Sequence, residues 1–112
     1  MKKIEAIIRP EKFEVVKDAL LKMGYPGMTV TQVNGHGNQK GISQVWRGRR
    51  FRIDLLLKLK IEITVKDIDV ENIVNTIISE SQTGSIGDGK IFVSQVENVY
   101  RVRTKESGEA AI

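Results

Sequence analysis

Apolar positions recur with a helical period in two segments. Over residues 11–23, Phe13, Val16, Ala19, Leu20 and Met23 fall on one face, with Pro10 at the entry, Glu11 and Glu14 in the first turn and Gly24 as the stop. Over residues 67–81, Val70, Ile73, Val74, Ile77 and Ile78 follow an i, i+3, i+4, i+7, i+8 stripe, with Gly84 just beyond. Both predict amphipathic helices. Runs of period two or β-rich composition occupy residues 3–9, 28–35, 55–66 and 90–96, with a short fifth at 99–103. The order is βαβ, a long insertion, then βαβ and a terminal strand. That order predicts an α+β fold, the ferredoxin-like double βαβ sandwich, with both helices on one face of a four-stranded antiparallel sheet. The other face stays bare, and oligomerisation is expected to cover it.

The strand at 55–66 is the most regular element. Its odd positions Leu55, Leu57, Leu59, Ile61, Ile63 and Val65 are all apolar, and Lys58, Lys60, Glu62, Thr64 and Lys66 share the opposite face, which reads as solvated at Lys60 and Lys66. On the first strand the matching face carries Lys3, Glu5, Ile7 and Arg9, where Ile7 breaks the pattern and suits a ligand wall or a subunit contact.

At 112 residues the chain reads as one domain spanning 1–112. The absence of cysteine removes disulfides, thiolate metal sites and thiol nucleophiles together. The first ten residues are too charged for a signal peptide and no apolar run approaches a membrane span, so a soluble cytoplasmic protein is the expectation. A net charge of +4 suits an anionic partner without choosing among nucleic acid, membrane and phosphorylated metabolite.

Two segments carry candidate chemistry. Thr83-Gly84-Ser85-Ile86-Gly87-Asp88-Gly89-Lys90 is a glycine-rich loop running into an apolar strand. Glycines let backbone N–H groups turn toward one anion, and Lys90 adds a point charge. It is not a Walker loop, because Ile91 stands where the magnesium-binding hydroxyl belongs and a strand follows instead of a helix. Taken by itself the segment fits a surface turn equally well. The insertion, residues 37–54, shows no sustained periodicity, and loops of that kind are functional or disordered. Its tip, Trp46-Arg47-Gly48-Arg49-Arg50-Phe51-Arg52, interleaves arginines with aromatics in the manner of a stacking surface or a protein hot spot. His36 is the only histidine and reads as incidental to catalysis, and no Ser-His-Asp set is assembled.

At these residues the chain resembles the PII nitrogen-regulatory signalling proteins. Thr83 to Val93 fit that family's B-loop, Gly37-Asn38-Gln39-Lys40-Gly41 the base of its T-loop, and Lys58, Arg101-Val102-Arg103-Thr104, Ile8-Arg9-Pro10 and Gly27-Met28-Thr29-Val30-Thr31 extend the match along the chain. The resemblance implies a T-loop at 37–54, a B-loop at 82–90, and a C-loop and tail at 101–112. It implies a homotrimer with ATP or ADP in clefts between subunits, 2-oxoglutarate joining MgATP there, and no enzymatic activity. Gly87, Asp88, Gly89 and Lys90 would hold phosphates together with Arg101 and Arg103, and Ile7, Thr29, Glu62 and Thr64 would line the adenosine. Gly27, Gly37, Asn38 and Gln39 complete the implied nucleotide set. Gln39 would offer its side-chain oxygen to Mg²⁺. Lys58 would pair with a 2-oxoglutarate carboxylate, supported by Gln39, Lys40, Gly41, Ile42 and Gly87. The T-loop, through Trp46, Arg47 and Phe51, would dock on an ammonium transporter, or else on glutamine synthetase or nitrogenase. Membrane contact is expected only through the transporter.

Several positions depart from the family pattern. Phe51 lacks the hydroxyl that some relatives have nucleotidylated, and Arg49 replaces the serine that others have phosphorylated. Asn38 and Ser85 stand where cationic residues are common, which bears on the relative affinity for ATP and ADP. Two other classes fit parts of the chain. A ferredoxin-like nucleic-acid module would suit the charge, yet Gly89-Lys90-Ile91-Phe92-Val93 lacks the stacking pair of that motif. A phosphate-transferring enzyme would suit the glycine loop, with Asp88 as its one nearby base.

Overall fold

The computed structural model describes residues 1–36, 42–46, 49–53 and 55–112, with the two strands inside 42–53 given by backbone and register alone. Lys2–Ile8 forms β1 and Thr29–Gly35 forms β2, with helix α1 at Phe13–Lys22 between them. Ile42–Trp46 and Arg49–Ile53 are β3 and β4; Leu56–Val65 is β5, Val70–Ser81 is α2, and Lys90–Gln95 is β6. One antiparallel sheet has the order β2-β5-β1-β6, and β3 pairs with β4 in a separate two-stranded sheet. This is the α+β, ferredoxin-like arrangement expected from the double βαβ order. Among the described residues no helix is long and apolar enough to cross a membrane.

The core follows from two periods meeting on one sheet face. Alternate residues Ile4, Ala6 and Ile8 of β1 and Ile61, Ile63 and Val65 of β5 point to one side, where Val16 and Leu20 of α1 and Ile73 and Ile77 of α2 close over them. Each fully buried aliphatic side chain contributes about 1.5–3 kcal/mol. Both helices open with a 3₁₀ turn, Pro10–Lys12 and Asp67–Asp69, so the regular α-helix begins two or three residues later than the periodicity suggests. The exit of α1 is fixed by Gly24 at φ +90° and by the buried Tyr25. The Tyr25 hydroxyl donates to Asp69 at the entry of α2 and accepts from the Lys66 amide at 3.3 Å.

On the opposite sheet face β1 and β5 place Glu5 directly across from Glu62. Two like charges in register are unfavourable. Lys3 offsets them by reaching both carboxylates at 3.0 Å, and Lys60 adds a contact to Glu62 at 3.3 Å.

Three expectations need correction. The insertion is not without regular structure: β3 and β4 pair in register from Ile42↔Ile53 to Trp46↔Arg49. Periodicity missed it because apolar positions there follow no fixed alternation, whereas strand pairing needs only backbone groups. The fifth strand at 99–103 does not form. A single bridge, Tyr100↔Ser107, closes a turn in which Lys105 takes φ +63° and the Arg101 and Glu106 backbones bond at 2.8 Å. Alternation of valine and arginine specified faces but no partner. The alternation in β5 also changes character toward its start. Leu55 and Leu57 are exposed because the core ends at the half-covered Leu59, while Lys58 on the opposite face is buried at 8 % exposure.

Candidate functional site

The glycine loop after α2 is built around one carboxylate. Asp88 Oδ2 accepts from the Thr83 and Gly84 amides at 2.7 and 2.9 Å, and Oδ1 accepts from the Thr83 hydroxyl at 2.5 Å and from Arg9 Nε at 3.0 Å. Arg9 Nη2 donates to the Ile86 carbonyl at 3.0 Å. The Thr83 hydroxyl and amide foremost, then Arg9, hold the Asp88 carboxyl well below the usual carboxylate range. Asp88 therefore stands as a fixed anion whose oxygens are committed to the loop itself. Such a group shapes a turn rather than abstracting a proton.

The glycines are required by geometry at two points. Gly87 takes φ +100° and Gly89 φ +106°. A Cβ on Gly89 would lie 1.7 Å from the Ile7 carbonyl oxygen, a backbone atom with no freedom to withdraw. Glycine at 89 thus lets the loop lie against β1 and delivers Lys90 to the start of β6.

Lys58 reaches this loop from β5, donating to the Gly87 carbonyl at 2.6 Å. Burial foremost, and the Arg9 cation second, pull its pKa below the ordinary lysine value, opposed by Glu11 and Asp88. A cleft of about 590 Å³ opens here, lined by Ile7, His36, Lys58, Gly87, Gly89 and Lys90 among others. Its walls combine apolar surface with clustered cations, which suits an anionic ligand with an apolar portion.

A second cleft, of about 520 Å³, lies elsewhere on the chain and is lined by Lys3, Gly27, Thr29, Glu62, Thr64 and Arg101 among others. Glu62 is held below its ordinary range by Lys3 and then Lys60. Arg101 Nη1 lies 3.5 Å from Glu106 Oε1 within the terminal turn.

The implied site residues are therefore divided. Ile7, Lys58, Gly87, Asp88, Gly89 and Lys90 line the first cleft, while Gly27, Thr29, Glu62, Thr64 and Arg101 line the second. Arg103 is exposed in the terminal turn and lines neither. Gly37, Asn38, Gln39, Lys40, Gly41 and Arg47 lie outside the described residues, as do the side chains of Ile42, Trp46 and Phe51. Sequence reasoning gave Arg9 no part in the loop, since its partner Asp88 is 79 residues away and neither helical nor strand periodicity connects them.

A family model described as nitrogen regulatory protein P-II matches residues 1–106. The nitrogen regulatory protein P-II 2 of Methanothermobacter thermautotrophicus is 60% identical over 112 residues, covering 100% of this chain and 97% of that protein. The nitrogen regulatory protein P-II 1 of Escherichia coli is 54% identical over 112 residues, covering 100% of both chains. The chain belongs to the nitrogen regulatory protein P-II family, whose members are signal-transduction regulators of nitrogen status and not enzymes.

Proposed function

We propose that this chain senses nitrogen, carbon and energy status by binding ATP or ADP together with 2-oxoglutarate, and that the ligand state sets how the segment 37–54 docks on a partner. The observation that carries this reading is the division of the implied nucleotide residues between two clefts of one chain. A homotrimer would join the glycine-loop cleft of one subunit to the Thr29 and Arg101 cleft of its neighbour, and would cover the bare sheet face at the same time.

In that assembly Gly87, Gly89 and Lys90 approach the phosphates, Arg101 and Arg103 arrive from across the interface, and Thr29, Glu62, Thr64 and Ile7 surround the adenosine. Planar guanidinium groups suit phosphate oxygens, and an ammonium supplies a compact charge beside them. Asp88 acts indirectly, by holding the loop open for the ligand. Lys58, which donates to the Gly87 carbonyl at 2.6 Å, lies at the cleft wall where it would pair with a 2-oxoglutarate carboxylate. Among the described residues no group of three histidine or carboxylate side chains could hold a metal ion, so Mg²⁺ would arrive with the nucleotide and take Gln39 as its protein ligand.

The partner best suited to this reading is an ammonium transporter, with Arg47 entering the pore exit and Trp46 and Phe51 around it. Glutamine synthetase or nitrogenase would use the same segment. Calorimetric titration of ATP, ADP and 2-oxoglutarate, singly and combined with Mg²⁺, tests the ligand assignment. Nucleotide is expected to bind alone and 2-oxoglutarate only with MgATP, each tightening the other by the same factor. Full 2-oxoglutarate affinity in nucleotide-free protein would contradict the scheme.

A further inference from the structure

Glu62 belongs to a row of positions that crosses the sheet on the face away from the helices. Strand register sets it opposite Thr29 of β2 on one side and opposite Glu5 of β1 on the other, while Lys3 stands opposite Thr64 in the next row of the same face. Thr29, Glu62, Thr64 and Lys3 all line the second cleft.

Glu5 and Glu62 repel each other across the strand pair. Lys3 Nζ reaches both, 3.0 Å from Glu5 Oε1 and 3.0 Å from Glu62 Oε2, and Lys60 Nζ lies 3.3 Å from Glu62 Oε1. Each oxygen of Glu62 thus carries one cation and keeps a second lone pair for a ligand. Held ionised by Lys3 and then Lys60, the carboxylate can only accept hydrogen bonds. The four side chains are 23 to 37 % exposed, and ion pairs at such positions add little to the stability of a fold. What Lys3 governs is aim, because without it the repulsion from Glu5 acts unopposed and turns the Glu62 carboxylate from its place on the cleft wall.

We propose that Lys3 is a positioning residue for nucleotide binding: by bridging Glu5 and Glu62 it fixes the Glu62 carboxylate as an acceptor for a hydrogen-bond donor of the adenosine, the 6-amino group of the base or a ribose hydroxyl. The inference rests on reading this cleft as the adenosine side of the nucleotide site. Lys3 carries no charge to the phosphates in this role. It acts through Glu62, and its effect on affinity exists only while Glu62 is present and only for ligands that bear the donor.

The test is calorimetric titration of ATP with Mg²⁺ into the wild type, Lys3→Met, Lys3→Arg, Glu62→Ala and the double Lys3→Met, Glu62→Ala variant, with thermal unfolding and light scattering on each. Lys3→Met is expected to weaken ATP about three- to tenfold, the worth of one ordinary hydrogen bond, and Lys3→Arg to recover most of that loss. In the Glu62→Ala background Lys3→Met should cost nothing further, because no carboxylate is left to aim. A role confined to fold or assembly would give the same loss in both backgrounds. ITP, 2′-deoxy-ATP and 3′-deoxy-ATP locate the donor: the analogue that lacks it should bind the wild type more weakly and no longer respond to Lys3→Met. No loss in Lys3→Met, an equal loss in both backgrounds, or three analogues that all respond as ATP does overturns the inference and leaves the nucleotide site standing. No ATP binding by the wild type overturns the site assignment and the inference with it.

Discussion

Arg9 and Asp88 stand 79 residues apart and meet as an ion pair, Nε to Oδ1 at 3.0 Å, that ties the end of the first strand to the glycine loop. Arg9 is the strut and Asp88 the hub, since the same carboxylate also gathers the Thr83 hydroxyl and the Thr83 and Gly84 amides. Replacing Asp88 with Asn is expected to lower the thermal midpoint at pH 7 and to weaken nucleotide binding without removing any cation from the cleft. The folded carboxyl sits below its unfolded value of about 3.9, so its stabilisation is present above that value and is lost as pH falls toward the folded value. The thermal midpoint of the wild type should thus fall off below about pH 4, and the difference between wild type and Asp88→Asn should shrink over the same range. A difference that persists unchanged at pH 3 would show that the charge on Asp88 is not what holds the loop.

Gly89→Ala should be severely damaging. The added Cβ meets the Ile7 carbonyl at 1.7 Å, and a φ of +106° is one that L side chains rarely adopt. Unfolding experiments should show a loss on the order of 2 kcal/mol or more, with nucleotide affinity lost as well. Gly27→Ala, with nothing within 4 Å of its Cβ, serves as the matched control and should fold normally.

Much of the fold was legible because its signals are local. Two 3.6-period stripes and the alternation of Ile61, Ile63 and Val65 specify which faces meet, and caps such as Pro10 and Gly24 mark where helices begin and end. The glycine loop was also legible, since three glycines and a lysine announce both their backbone demands and their charge. What could not be read was pairing between distant residues: Arg9 with Asp88, Lys58 with the Gly87 carbonyl, Tyr25 with Asp69. The burial of Lys58 was not legible, because alternation reports which side of a strand a residue occupies and not what later covers that side. The β3–β4 pair escaped notice for the complementary reason, being held by backbone groups rather than by an apolar stripe.

Lys58→Met should separate the two classes of ligand. The substitution keeps the apolar stem and removes the ammonium, so MgATP affinity should change little while 2-oxoglutarate binding weakens tenfold or more, in line with about 1.5–3 kcal/mol for a charge-assisted contact. Isothermal calorimetry checks both. An equal loss for the two ligands would mean that Lys58 acts through the Gly87 carbonyl and the loop as a whole.

At the partner surface, Arg47→Ala and Arg52→Ala distinguish specific docking from general attraction of a basic segment. Pull-down with an ammonium transporter at physiological salt should lose the complex for Arg47→Ala and keep most of it for Arg52→Ala. MgATP with 2-oxoglutarate should release the wild type, whereas ADP should not. Full retention by Arg47→Ala would favour glutamine synthetase or nitrogenase as the target.

The central claim is that one nucleotide site is assembled from two chains, and subunit complementation tests it most directly. Lys90→Ala damages only the glycine-loop cleft, and a double Arg101→Ala, Arg103→Ala variant damages only the other half of the site. At an ATP concentration where neither variant binds alone, trimers formed by co-expressing the two in equal amounts should recover about a quarter of the wild-type sites, the fraction of interfaces that pair two intact halves. If mixed trimers form and recover none, the site lies within single chains and the account of two joined clefts is wrong.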